Sequence, residues 1–190
     1  MGTQIIKIKN MCCGRCITSV EQIFNQLGIK SKKVKLGFAE ISPNPKVKDT
    51  QIEKALKAGG FEIIKSKDEE ICEKVKIAIH QIFFDSDMEG LSDFNLRIYL
   101  EKQTGMTYKK LSQIFSSHNK KNIENYFILH RVEKAKALID ETEDLFSDIA
   151  FKLGYKSLSH LSRQFKTVEG VSMHDYKLKT TKRRKPIDKL

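Results

Sequence analysis

The pentapeptide Leu111-Ser112-Gln113-Ile114-Phe115 recurs fifty residues later as Leu161-Ser162-Arg163-Gln164-Phe165. Each copy follows a glycine, Gly105 or Gly154, and a hydroxyl residue, Thr107 or Ser157, placed to cap a helix. The unit therefore reads as helix, Gly-containing turn, cap and second helix, which is the helix-turn-helix plan. In the second unit Asp144 can cap a first helix whose apolar stripe is Leu145, Ile149, Ala150 and Leu153. Between the two units runs an amphipathic stretch from Ile123 to Ile139, apolar at Phe127, Val132, Ala135, Leu138 and Ile139. Two αα-hairpins of an ordinary bundle would satisfy the same pattern, so the repeat by itself leaves DNA binding and simple packing both open.

Residues 1–66 have a different texture. Gln4–Lys9 alternates apolar and basic, as a strand with one buried face does. Thr18 to Leu27 places Val20, Ile23, Phe24 and Leu27 at helical spacing and stops at Gly28. Val34–Leu36 and Ala39–Ile41 flank Gly37-Phe38 as a hairpin. Thr50 caps a helix carrying Ile52, Ala55 and Leu56 that ends at Gly59-Gly60, and Phe61–Ile64 returns as a strand. The order βαββαβ is the ferredoxin-like plan. Asp68-Glu69-Glu70 marks the boundary, and the chain beyond it reads as helical. The fold expected is α+β, with a ferredoxin-like domain at 1–67 and a linker or first helix at 68–88. A double helix-turn-helix domain at 89–177 and a basic tail at 178–190 follow.

Three of the four cysteines, Cys12, Cys13 and Cys16, fall within five residues between the first strand and the first helix. A disulfide framework would spread cysteines across the fold, so this clustering points to metal or redox chemistry. A helix N-terminus favours thiolate, and soft thiolates select Cu(I) and other soft ions over Mg or Ca. Structural zinc ordinarily takes four ligands. No second Cys pair is present, and all five His lie at position 80 or later. Cys13-Gly14-Arg15-Cys16 also has the spacing of a redox dithiol. Cys72 lies alone among apolar residues and reads as packing.

The net charge of +11 comes from 35 Lys+Arg and 24 Asp+Glu. Residues 1–67 carry 13 basic and 5 acidic side chains, residues 68–176 carry 15 and 18, and residues 177–190 carry 7 and 1. A basic balance admits nucleic-acid partners, but the central block is nearly neutral, so motifs must carry that assignment. Lys179–Lys185 is a charge run that suits either a solvated tail or a grip on phosphates. No apolar run approaches the ~20 residues of a membrane span, and Met1–Lys7 lacks a signal-peptide core. The expected location is cytoplasmic, with no membrane partner.

Two resemblances sharpen these readings. Met11, Cys13 and Cys16 match the Met-x-Cys-x-x-Cys loop of the heavy-metal-associated domain of copper chaperones and metal-transporting ATPases. The βαββαβ order and Gly60-Phe61 extend that likeness over about the first 65 residues. It implies Cys13 and Cys16 as ligands of Cu(I) or another soft metal ion, with Met11 as a buried anchor. Cys12 is then either a third ligand or an inert neighbour. Residues 70–177 resemble the AraC/XylS family of transcription regulators. The likeness rests on Ile149-Ala150, Gly154-Tyr155, Phe165-Lys166, Gly170-Val171 and, upstream, Tyr126, Arg131, Glu133, Ala135 and Leu138. It implies two recognition helices that read successive major-groove faces, through Lys109, Ser112 and Gln113 in the first and Ser159 and Arg163 in the second. Arg can take guanine and Gln adenine in bidentate contacts. Three positions depart from the family pattern: Met173 replaces a proline, Glu101 a small residue and Lys120 a glycine. The last two predict a looser first unit.

Together these features describe a non-enzymatic, metal-responsive transcription regulator. Its expected partners are duplex DNA, a metal-delivering chaperone and a second copy of the chain. The competing readings are a metal carrier or buffer with a helical docking module, a thiol oxidoreductase, and a DNA reader whose N-terminal fold binds a protein instead of metal.

Overall fold

The structure, a computed structural model, describes residues 2–84, 91 and 94–178. The basic run at 179–185 and the last residues of the expected linker lie outside the described residues.

The N-terminal part runs β1 (Gln4–Lys9), α1 (Gly14–Gln26), β2 (Ser31–Lys35), β3 (Phe38–Ile41), α2 (Asp49–Ala58) and β4 (Glu62–Ile63). The strands form one antiparallel sheet in the order β2-β3-β1-β4, with Ile6 opposite Ala39 and Ile8 opposite Ile63. Alternation puts Ile6 and Ile8 on the buried face, where they meet Val20, Phe24, Ile52 and Leu56 of the two helices. Helix α1 begins at Gly14, four residues earlier than the apolar spacing suggests, and α2 begins at Asp49 with Lys48 at its N-cap instead of Thr50. Apolar periodicity reports the buried turns of a helix, whereas its first turn is set by backbone donors and loop geometry.

The remainder is helical: α3 (Lys67–Phe84), α4 (Leu96–Thr104), α5 (Tyr108–His118), α6 (Ile123–Glu141), α7 (Phe146–Lys152), α8 (Leu158–Glu169) and α9 (Met173–Leu178). A second hydrophobic cluster joins Cys72, Val75, Ile79 and Ile82 of α3 to Leu111 and Phe115 of α5. It continues through Val132 and Ala135 of α6 to Leu161 and Phe165 of α8. Helix α6 spans both helix pairs. Its Arg131 guanidinium lies between the rings of Phe127 and Tyr155, 4.5 and 4.7 Å from their centroids. Its fully buried Lys136 binds Glu133 at 2.8 Å and Glu169, at the end of α8, at 3.3 Å.

Helix α3 belongs to this second cluster, yet its first turns lie against the sheet. Lys7 of β1 pairs with Glu70, Lys9 reaches Glu69 at 3.7 Å, and Ile77 approaches Gly37 of the β2–β3 turn.

Candidate functional site

The two glycine turns place α5 and α8 on their scaffolds. Gly105 has φ +70° and Gly154 φ +71°, the left-handed region where a side chain is strained. A Cβ at Gly154 would come 2.4 Å from the carbonyl oxygen of Leu91, whereas Gly105 faces open space. Ser157 caps α8 by accepting the His160 N–H. Thr107 occupies the N-cap position of α5, but its side chain makes no capping bond. Its work is done by Glu101, whose carboxylate accepts the Tyr108 N–H at 2.6 Å. The acidic side chain that suggested a looser first unit therefore clamps the start of α5. In the second unit Asp144 does not cap α7 either. Leu145 holds the N-cap position and is exposed, while Asp144 pairs with Lys152 at 2.7 Å.

The buried face of α5 is Tyr108, Leu111 and Phe115, and that of α8 is Leu161 and Phe165. Opposite them Lys109 and Gln113 are exposed on α5, and Ser159 and Arg163 on α8. Ser112 is half-buried, as is its repeat counterpart Ser162, which donates to the Met173 sulfur. The same outward faces hold two residues that sequence reasoning missed, Ser116 and Lys166, both exposed. Helical spacing from Gln113 and Arg163, with the fifty-residue offset, is the signal that finds them. The two stripes correspond residue by residue, Lys109 to Ser159, Gln113 to Arg163 and Ser116 to Lys166. Arg163 also borders a groove between α6 and α8 that carries Lys121 and Asn125. Side chains of this kind on a helix can bond base edges, and the lysines can neutralise phosphates.

The thiol loop joins β1 to α1 in the N-terminal part. Met11 is buried beneath it. Cys13 is the N-cap of α1, and the Cys16 N–H donates to its carbonyl. The Cys12 sulfur lies 3.7 Å and the Cys13 sulfur 3.8 Å from that of Cys16, and all three sulfurs fall within 4.8 Å of one another. The hydrogen bond with the Cys12 side chain, helped by the Cys12 and Cys13 N–H groups, pulls the Cys16 pKa down to about 5 despite partial burial. The same bond with Cys16, and then partial burial, push the Cys12 pKa up in turn. With metal–sulfur bonds of about 2.3 Å, thiolates sharing one ion stand about 3.8–4.0 Å apart, so the donor set fits a single soft ion. Among the described residues no His or carboxylate joins this group. Cys72 is buried, its thiol donating to the Ile114 carbonyl, and stands apart from the loop.

Among the described residues no helix is long and apolar enough to cross a membrane. No curated protein and no solved structure matches the chain. Residues 100–179 match a family model described as a helix-turn-helix domain. That match takes in the end of α4 and all of α5 to α9, both exposed stripes included, and it supports the AraC-like likeness of this region. The C-terminal helices of this chain are thus similar to a helix-turn-helix domain, a likeness that supports a DNA-binding transcription regulator.

Proposed function

We propose that this chain is an AraC/XylS-type transcription regulator that responds to a soft metal ion, foremost Cu(I). Helices α5 and α8 read duplex DNA through Lys109, Gln113 and Ser116 and through Ser159, Arg163 and Lys166, with the half-buried Ser112 at the edge of the first stripe. The observation that carries this half is the matched pair of exposed polar stripes, each backed by two or three buried apolar anchors on a capped helix. Stripes built this way leave the reading residues free while the helices stay fixed, as groove recognition requires.

Cys13 and Cys16 hold the ion, with Cys12 as third thiolate. The convergence of three sulfurs at a helix N-terminus supports this half. So does the strand order β2-β3-β1-β4 with α1 and α2 on one face, which agrees with a ferredoxin-like, heavy-metal-associated domain. Thiolates of Cys13 and Cys16, with Cys12, would hold such an ion and so tie the loop to the start of α1.

The experiment is a pair of titrations on the reduced full-length protein. It should bind about one Cu(I) per chain, and Cys13→Ser/Cys16→Ser should abolish tight binding while keeping the sheet intact. It should also select a distinct duplex from a random-sequence pool. Unchanged Cu(I) affinity in the double variant would refute the metal site. Equal affinity for selected and scrambled duplexes would leave only non-specific electrostatics.

A further inference from the structure

Glu73 is a buried carboxylate on α3 and faces away from the helical core that its neighbours Cys72 and Val75 join. Burial of an ionised group is tolerated only where donors meet it. Its donors come from the other end of the chain. The Asn10 N–H reaches Glu73 Oε1 at 2.7 Å across 63 residues of sequence. The Met11 N–H draws the carboxyl in the same sense against the upward push of burial. Asn10 is the one non-glycine residue with positive φ among the described residues, +70°, and its side-chain amide donates to the Gly60 carbonyl at 3.3 Å. The entry to the thiol loop is therefore held in a specific backbone conformation, and part of the hold comes from the helical domain.

The other side of the same helix turn meets a reading helix. The Cys72 thiol donates to the carbonyl of Ile114, the residue after Gln113, and Val75 and Ile79 share a core with Leu111 and Phe115. Two consecutive residues of α3 thus contact the thiol loop and the recognition helix α5. We propose that Glu73 is the positioning residue through which metal occupancy of the thiol loop and DNA binding by α5 are coupled. The inference rests on the metal-responsive reading above. The loop conformation that Glu73 holds is the one in which the three sulfurs converge, so an ion bound there favours the latched state. The latch fixes α3, against which α5 is packed. If the loop moves, Glu73 loses the bond from the Asn10 N–H, so the latched arrangement depends on the loop. Coupling of this kind is reciprocal: the factor by which Cu(I) changes DNA affinity is the factor by which DNA changes Cu(I) affinity.

The test uses the full-length reduced protein, Cu(I), and the duplex this protein selects from a random pool. In the wild type, Cu(I) should change the dissociation constant for that duplex by about fivefold or more, and the duplex should change Cu(I) affinity by the same factor. In Glu73→Ala both factors should fall toward one while Cu(I) and the duplex each still bind. Glu73→Gln keeps an acceptor for the Asn10 N–H and should retain most of the coupling. A full wild-type factor in Glu73→Ala would overturn the role of Glu73 and leave the metal-responsive reading standing. A factor of one in the wild type, with both ligands bound, would overturn that reading as well. Amide exchange gives a readout that needs no variant. The Asn10 N–H should exchange more slowly on Cu(I) loading and again on adding the duplex, and exchange indifferent to the duplex would overturn the coupling.

Discussion

Gly154→Ala, set against Gly105→Ala, isolates one contact that fixes the second helix pair. Both glycines have φ near +70°, so each alanine meets the left-handed penalty of about 1–2 kcal/mol. Only at position 154 does the added methyl collide with backbone, 2.4 Å from the Leu91 carbonyl oxygen and 2.6 Å from its Cβ. Contacts that close force the Leu91 segment or the turn to shift, an overpacking cost of about 1–3 kcal/mol. Gly105→Ala should therefore lose about 1–2 kcal/mol and Gly154→Ala about 2–5 kcal/mol. In a chain of this size each kcal/mol corresponds to a fall of about 2–4 °C in Tm. Urea unfolding followed by circular dichroism, with thermal melts alongside, measures both variants against the wild type. Equal losses at the two positions would refute the close approach of Leu91 to the second turn.

Glu101→Ala removes the acceptor of the Tyr108 N–H and should cost about 1 kcal/mol, as loss of a helix cap does; unchanged stability would show that the carboxylate does not clamp α5. Arg163→Ala should cost about 1–3 kcal/mol at the selected duplex and relax preference at one base pair, and Gln113→Ala should cost a similar amount now that Glu101 is seen to hold its helix. A uniform loss across sequences would mean phosphate contacts instead. His130 is fully buried beside His80, and burial first, then the charge of His80, pushes its pKa down to about 3. The unfolded chain takes up that proton near pH 6.5 and the folded chain does not. Stability should therefore be full above pH 6.5 and fall by about 1.4 kcal/mol per unit as pH drops toward 3. His130→Leu should flatten that acid limb in denaturation curves, and an identical limb would exclude His130 as its source.

The parts of this molecule written in local sequence were legible there. The repeat around Leu111 and Leu161 found helices α5 and α8, because the residues that pack them and those that stay exposed follow one helical period. The spacing of Cys12, Cys13 and Cys16 found the thiol loop, because thiols within five residues need no tertiary information to converge. Contacts between distant segments were not legible. Nothing in the periodicity of α3 marks Glu73 as buried, since its donors come from 63 residues away. Glu101 was misjudged because family pattern assigns its position a small packed side chain, whereas here the carboxylate reaches across the turn to Tyr108. The caps expected at Thr50 and Asp144 failed for a related reason. A short polar side chain marks a helix start only if the backbone enters there, and the entry points are Lys48 and Leu145.

Fluorescence anisotropy of the selected duplex, at fixed salt with and without Cu(I), reads metal response and sequence preference together. Reduced wild-type protein should bind this duplex well above a scrambled one. Cu(I) should also shift the affinity about fivefold or more, and Cys13→Ser/Cys16→Ser should bind the duplex but ignore Cu(I). Identical curves for wild type with and without bound Cu(I), or for selected and scrambled duplexes, would contradict the proposed function.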